Sequence, residues 1–99
     1  RFAYEEGIRS PFLVRYPAKV KAGTRVSDLM ICQDLAPTLI ELAGGKPGPQ
    51  IQGRSFLPLL GKKKPAGWRK AVLAEYWAEQ AYPWLIGMTY KAIRTEPYK

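Results

Sequence analysis

Gln33-Asp34-Leu35-Ala36-Pro37-Thr38-Leu39-Ile40-Glu41-Leu42-Ala43-Gly44-Gly45 is the stretch that decides the fold of this chain. Leu35, Leu39 and Leu42 recur at helical spacing, and Ile40 and Ala43 widen the stripe. That pattern predicts a helix over about 34–43 with one strongly apolar face. Asp34 is placed to act as N-cap, its carboxylate accepting from the first-turn N–H groups and opposing the positive end of the helix dipole. Pro37 falls in that first turn, where a missing N–H does little harm. Gly44 and Gly45 supply a left-handed stop. The flanking residues are expected to cover the leucine face.

On the N-terminal side, Pro11-Phe12-Leu13-Val14-Arg15-Tyr16-Pro17 is apolar, rich in strand formers and bounded by prolines, which predicts a strand over about 11–16. Leu13 and Val14 are consecutive, so both faces of that strand should be covered, as in a sheet sandwiched by helices. A chain of 99 residues would struggle to do this alone, so most of the sheet is expected elsewhere. Residues 18–24 read as a loop, and 26–31 as either a short strand or an extra helical turn.

On the C-terminal side, 46–50 is a loop and Ser55-Phe56-Leu57-Pro58-Leu59-Leu60 predicts a short helix, with Ser55 as N-cap and Gly61 as its end. Lys70 to Trp77 predicts a strand. After a turn at 80–83, residues 84–89 and 90–95 give two further extended stretches. Several short strands at this spacing predict a small antiparallel sheet packed on the helix. The fold class is α/β for the larger body this chain belongs to and α+β for the chain by itself. Residues 1–61 (strand, helix, short helix) are expected to close an α/β core, and 62–99 to form an antiparallel-sheet subdomain.

The chain is 46% apolar, enough to bury a core. It lacks an initiator Met and opens mid-pattern, which reads as a piece of a longer protein; the missing targeting segment therefore leaves the compartment open. No run reaches the roughly 18 apolar residues of a membrane span. The lone Cys32 excludes an internal disulfide, and its neighbours Met30 and Ile31 predict a buried, inert thiol. With no His, neither a His-based triad nor a His-ligated zinc site can be built from these residues alone. The net charge of +8 is scattered apart from Lys62-Lys63-Lys64, a solvated run after the short helix. Nucleic-acid binding would want basic residues clustered on one face with interleaved aromatics, so a bland solvated surface, or attraction toward an anionic substrate held by a larger protein, is the better reading.

Self-contained chemistry is nearly absent. There is no phosphate-binding glycine loop, Cys pair or nucleophile elbow. Glu5 and Glu6 could in principle bind a cation or act as acid and base, but adjacent carboxylates point apart, and a capping or ion-pair role with Arg9 is favoured. Asp34 could be a metal ligand, yet the cap explains it more simply. Trp77, Tyr82 and Trp84 crowd the turn after a strand, as core aromatics or as a rim that stacks on a substrate ring. They are the only candidate site residues; no catalytic, cofactor-binding or metal residue is assigned.

Four stretches together resemble a family. Tyr4-Glu5-Glu6-Gly7-Ile8-Arg9-Ser10-Pro11-Phe12-Leu13-Val14-Arg15-Tyr16-Pro17 is similar to the "YEEGIRVPLIVRWP" stretch of type I, formylglycine-dependent sulfatases of the alkaline phosphatase superfamily. The organising helix resembles their "VDLAPTLLDLAG" segment and residues 53–60 their "GRSLLPLL". Glu75-Tyr76 and the segment from Ala92 to Lys99 resemble the strand endings "EY" and "RMIRTDRYK". The order and separations match, over nearly the whole chain.

The resemblance implies the C-terminal part of a sulfuric ester hydrolase, with one strand of its large sheet, helices and the small antiparallel sheet. It also implies what lies elsewhere: a formylglycine nucleophile and a calcium ion in the N-terminal half, the expected partner of this part within the same protein. The family's last active-site Lys normally precedes the "YEEGIR" stretch, and Arg1 resembles the residue after it, so this piece alone is expected to be inactive. Cys32 does not match the formylglycine motif. The subdomain would close one side of the pocket for a sulfated small molecule or glycan. Family members are often periplasmic, secreted or lysosomal. Two other readings stay open: a phosphodiesterase or phosphonate hydrolase on the same scaffold, and a stand-alone basic module binding sulfated glycans or nucleic acid.

Overall fold

The computed structural model describes residues 5–61, 65–77 and 89–95, with the side chains of Glu5 and Glu6 outside the description. In chain order the elements are α1 (Glu5–Ile8), a 3-10 turn at Cys32–Asp34, α2 (Leu35–Leu42), α3 (Leu57–Leu60), β1 (Ala71–Tyr76) and β2 (Tyr90–Thr95). The class is α+β. Two compact units are distinguished: Val14–Arg69, which holds α2 and α3, and Arg1–Leu13 with Lys70–Lys99, which holds the strands.

In the first unit, α2 runs where the leucine spacing places it, with Pro37 in its first turn. Its end is a Schellman motif. The Gly45 N–H donates to the Ile40 carbonyl and the Gly44 N–H to the Glu41 carbonyl, and Gly44 takes φ +82°, a conformation that favours glycine. Residues 26–31 form neither a strand nor an α-turn and lead into the 3-10 turn. α3 starts two residues later than expected, at Leu57. The Ser55 hydroxyl still accepts from the Leu57 N–H at 3.3 Å. Gly61 ends α3 with a negative φ of −88°.

The core of this unit lies away from the leucine stripe. Phe56, Leu59 and Trp68 are its buried large hydrophobics, with Val26, Met30 and Leu60 packed against them. α2 instead buries Pro37 and Thr38 and leaves Leu35, Leu39 and Leu42 exposed. The expectation that the chain's own residues cover the leucines is therefore corrected. The physical reason is that the side of α2 facing Phe56 is claimed by polar bonds, described below, which orient the helix. The buried Cys32 thiol is also corrected: Cys32 is exposed at the head of the 3-10 turn. Its neighbours Met30 and Ile31 are half-buried while it points away.

In the second unit, β1 and β2 form an antiparallel pair from Ala71↔Thr95 to Tyr76↔Tyr90. Successive side chains alternate between faces, so Leu73↔Ile93 and Glu75↔Lys91 share one face and Ala74↔Ala92 and Tyr76↔Tyr90 the other. The Tyr76 and Tyr90 rings stack with centroids 5.8 Å apart. Residues 84–88 and the 80–83 turn lie outside the described residues. The 11–16 stretch, expected as a strand, carries none here, and Leu13 is 94% exposed. A strand exists only through its ladder partner, and the described residues supply none to this stretch.

Candidate functional site

The densest polar arrangement in the described residues converges on Asp34, which is 0% exposed. Asp34 precedes α2 but has helical backbone angles, φ −77° and ψ −16°, because the 3-10 turn runs straight into the helix. An N-cap residue needs an extended backbone to fold its side chain over the first turn. In a helical conformation the Cβ points backward instead. Asp34 therefore makes no side-chain cap to α2, and the sequence-based cap is corrected.

The carboxylate reaches three other segments. Oδ2 accepts from the Ile31 N–H at 2.9 Å and from Arg69 Nη1. Oδ1 accepts from the Arg54 N–H at 2.9 Å and from Arg69 Nη2 at 2.7 Å. The bond to Arg69 is thus bidentate, the geometry in which guanidinium and carboxylate match best. One residue further into the helix the polar chain continues: the Thr38 hydroxyl donates to the Asp34 carbonyl at 2.6 Å and accepts from the Phe56 N–H at 3.0 Å.

Each partner is held in turn. The Arg69 guanidinium lies over the Trp68 ring, 5.3 Å from its centroid, and Trp68 Nε1 donates to the Leu29 carbonyl at 3.0 Å. Arg54 Nη1 donates to the Gly67 carbonyl at 2.9 Å. Gly53 packs so closely that a Cβ there would sit 1.9 Å from the Gln33 carbonyl oxygen. The Gly53-Arg54-Ser55 segment is thereby clamped against the start of α2.

Burial pushes the Asp34 carboxyl toward its neutral form, but the Arg69 bond, the Arg54 and Ile31 N–H groups and the Arg69 charge outweigh it and hold the pKa below the ordinary 3.8. An ionised carboxylate offers about four lone-pair sites, and four donors fill them. Asp34 has nothing left to bind a cation or take a proton from a substrate; its chemistry is structural. Among the described residues no group of three or more His, Cys, Asp or Glu is placed to hold a metal ion.

The sheet carries the other candidate. Trp77, just past β1, is 67% exposed. Lys91 Nζ lies 5.4 Å from its ring centroid and 2.9 Å from Glu75 Oε1. Of the residues expected at a substrate rim, Trp77 is placed as an accessible aromatic with a cation beside it, whereas Tyr82 and Trp84 lie outside the described residues. So do the Glu5 and Glu6 side chains and the Lys62–Lys64 run. Arg69, Gly53 and the Thr38 relay were missed in sequence, because bonds spanning 18 to 35 residues leave no periodic signal.

The fold is that of a sulfatase C-terminal region. Residues 1–99 match the family described as N-sulphoglucosamine sulphohydrolase, C-terminal, and the chain belongs to that family. It is 43% identical over 79 residues to an N-acetylglucosamine-6-O-sulfatase of Bacteroides thetaiotaomicron, covering 78% of this chain and 14% of that protein. It is 40% identical over 80 residues to the N-acetylglucosamine-6-sulfatase of Capra hircus, covering 80% of this chain and 14% of that protein. A solved structure of a protein in complex with its substrate D-glucosamine-2-N,6-O-disulfate superposes with a TM-score of 0.73 at 37% identity, over 83% of this chain and 17% of the other. The chain thus spans about one seventh of the length of these relatives.

Proposed function

We propose that the whole protein is a sulfuric ester hydrolase acting on a sulfated sugar, and that residues 1–99 are its C-terminal scaffold and one wall of its pocket. The observation that carries this reading is the family match over all 99 residues, and the 6-O-sulfatase relatives favour an amino sugar as the substrate class. Residues 1–61 complete the α/β core and 62–99 form the sheet subdomain. In this reading Trp77, Tyr82 and Trp84 form the rim, where an aromatic face stacks on a sugar ring.

The nucleophile and the calcium ion that the resemblance implies come from the parent's residues outside 1–99. The part played by the Asp34 clamp is to stabilise the scaffold by fixing 31–38, 53–56 and 67–69 to one another. The test is sulfate release by the whole protein across mono-sulfated glucosamines, with a phosphodiester as comparison. Release from the sulfate esters supports the reading; cleavage of the phosphodiester alone overturns it in favour of the sister chemistry on the same scaffold.

A further inference from the structure

From Arg15 to Arg25 the chain carries four cations, Arg15, Lys19, Lys21 and Arg25, and no acidic residue. Two turns fold this stretch back on itself. The Lys19 and Val20 N–H groups both donate to the Tyr16 carbonyl, at 3.1 and 2.8 Å, and the Thr24 N–H donates to the Lys21 carbonyl at 3.2 Å. All four cations are exposed, and none has an acidic partner among the described residues. Beside the second turn, residues 23–28 and Leu59 line an open groove of about 370 Å³, a size that suits small ligands. Its lining joins the Arg25 cation to the Thr24 and Ser27 hydroxyls, the Asp28 carboxylate and the apolar Val26 and Leu59. None of these residues belongs to the Asp34 clamp or to the proposed rim.

We propose that the 15–25 double turn and its groove are an auxiliary binding site for a sulfated polysaccharide. Lys19, Lys21 and Arg25 meet its sulfate groups through charge-assisted bonds, while Thr24, Ser27 and Asp28 meet its sugar hydroxyls. The choice of polymer rests on the reading of the whole protein as acting on a sulfated sugar; the site itself rests on charge and shape. A carboxylate in the groove repels a ligand charged at every unit, but it accepts from a hydroxyl. A sulfated glycan interleaves sulfates with hydroxyls, whereas a DNA backbone carries a charge on each nucleotide and no hydroxyl along its length. Base stacking would also want exposed aromatics, and the one aromatic residue in 15–25 is the half-buried Tyr16. A polymer held at this site stays tethered to the protein, so its sulfated units reach the reaction centre at a raised effective concentration.

The test is binding of a fluorescein-labelled, size-defined heparin fragment to the whole protein, read by anisotropy over a salt series. The unmutated protein is compared with Lys19→Gln/Lys21→Gln/Arg25→Gln, whose melting temperature should hold because all three positions are exposed. The expected result is binding at least about tenfold weaker in the variant, with a log–log salt slope shallower by about two, near the ~0.7 per cation that flexible polyanions show. Unchanged affinity and slope overturn the proposal. A DNA single strand of equal charge bound as tightly as the heparin fragment overturns the glycan assignment. Lys19→Arg/Lys21→Arg keeps the charge and should keep the binding; loss of binding there overturns the electrostatic account. Sulfate release from glucosamine 6-O-sulfate, measured on the same samples, separates the two claims and should be equal in all of them. Release with heparin binding unaltered by the triple substitution sinks only this site, and heparin binding lost as expected in a protein that releases no sulfate sinks only the reading of the reaction.

Discussion

Replacing Asp34 with Ala removes the acceptor on which four donors converge. A simple helix cap lost in this way would cost about 0.5–2 kcal/mol. The geometry sets a higher figure. The Ile31 and Arg54 N–H groups lose their acceptor, at about 1–3 kcal/mol for each buried donor left unmet, and Arg69, whose side chain is only 12% exposed, keeps an uncompensated charge. Removing one partner of a buried ion pair costs about 3–5 kcal/mol, and Asp34→Ala is expected to fall in that range. The assay is equilibrium urea unfolding of the whole protein followed by Trp fluorescence, with turnover per folded molecule measured in parallel and expected to hold. Adding Arg69→Met should recover part of the loss, because the orphaned charge is then gone. A loss under about 1 kcal/mol, or a double variant no more stable than Asp34→Ala, would refute the clamp.

Gly53→Ala should cost about 1–3 kcal/mol, through a Cβ forced against the Gln33 carbonyl; an unchanged melting temperature would show that the contact relaxes freely. The depressed Asp34 pKa means that the unfolded chain takes up this proton first as pH falls below about 3.8. Stability from Asp34 is therefore present above that pH and lost as pH drops through the lower folded value; an Asp34→Asn variant should show a flatter acid limb in a pH series of melting curves. Lys91→Met should change stability by less than about 1 kcal/mol, as an exposed pair with Glu75 implies. A weakened KM for sulfated sugar in that variant, with kcat retained, would place Lys91 at the rim, and an unchanged KM would exclude it.

The elements built from local signals were legible in the sequence. Leucine spacing gave α2, the Gly44-Gly45 pair its Schellman end, and the short extended stretches at 70–77 and 90–95 the β1–β2 pair. What the sequence hid was orientation. The leucine stripe reads as a core face because apolar arcs usually are, but the direction a helix turns is set by its tertiary bonds, here from Arg69 and Phe56. Asp34 reads as a cap for the same reason: its position is visible, whereas the 3-10 turn that redirects its carboxylate is not. The 11–16 stretch was read by composition as a strand, and no strand forms there without a partner. The family's motif order, by contrast, was visible in the residues themselves, and the structure brings two of those stretches, Gly53-Arg54-Ser55 and Asp34-Leu35-Ala36-Pro37, together in one clamp.

The central claim is that residues 1–99 support the hydrolysis of a sulfate ester without performing it. The measurement that tests it most directly is release of inorganic sulfate from glucosamine 6-O-sulfate, followed side by side for the whole protein and for the 99-residue chain. The whole protein is predicted to release sulfate with multiple turnovers and the 99-residue chain none above buffer. Sulfate release by the 99-residue chain alone, or none by a correctly folded whole protein on any mono-sulfated glucosamine, would contradict the account.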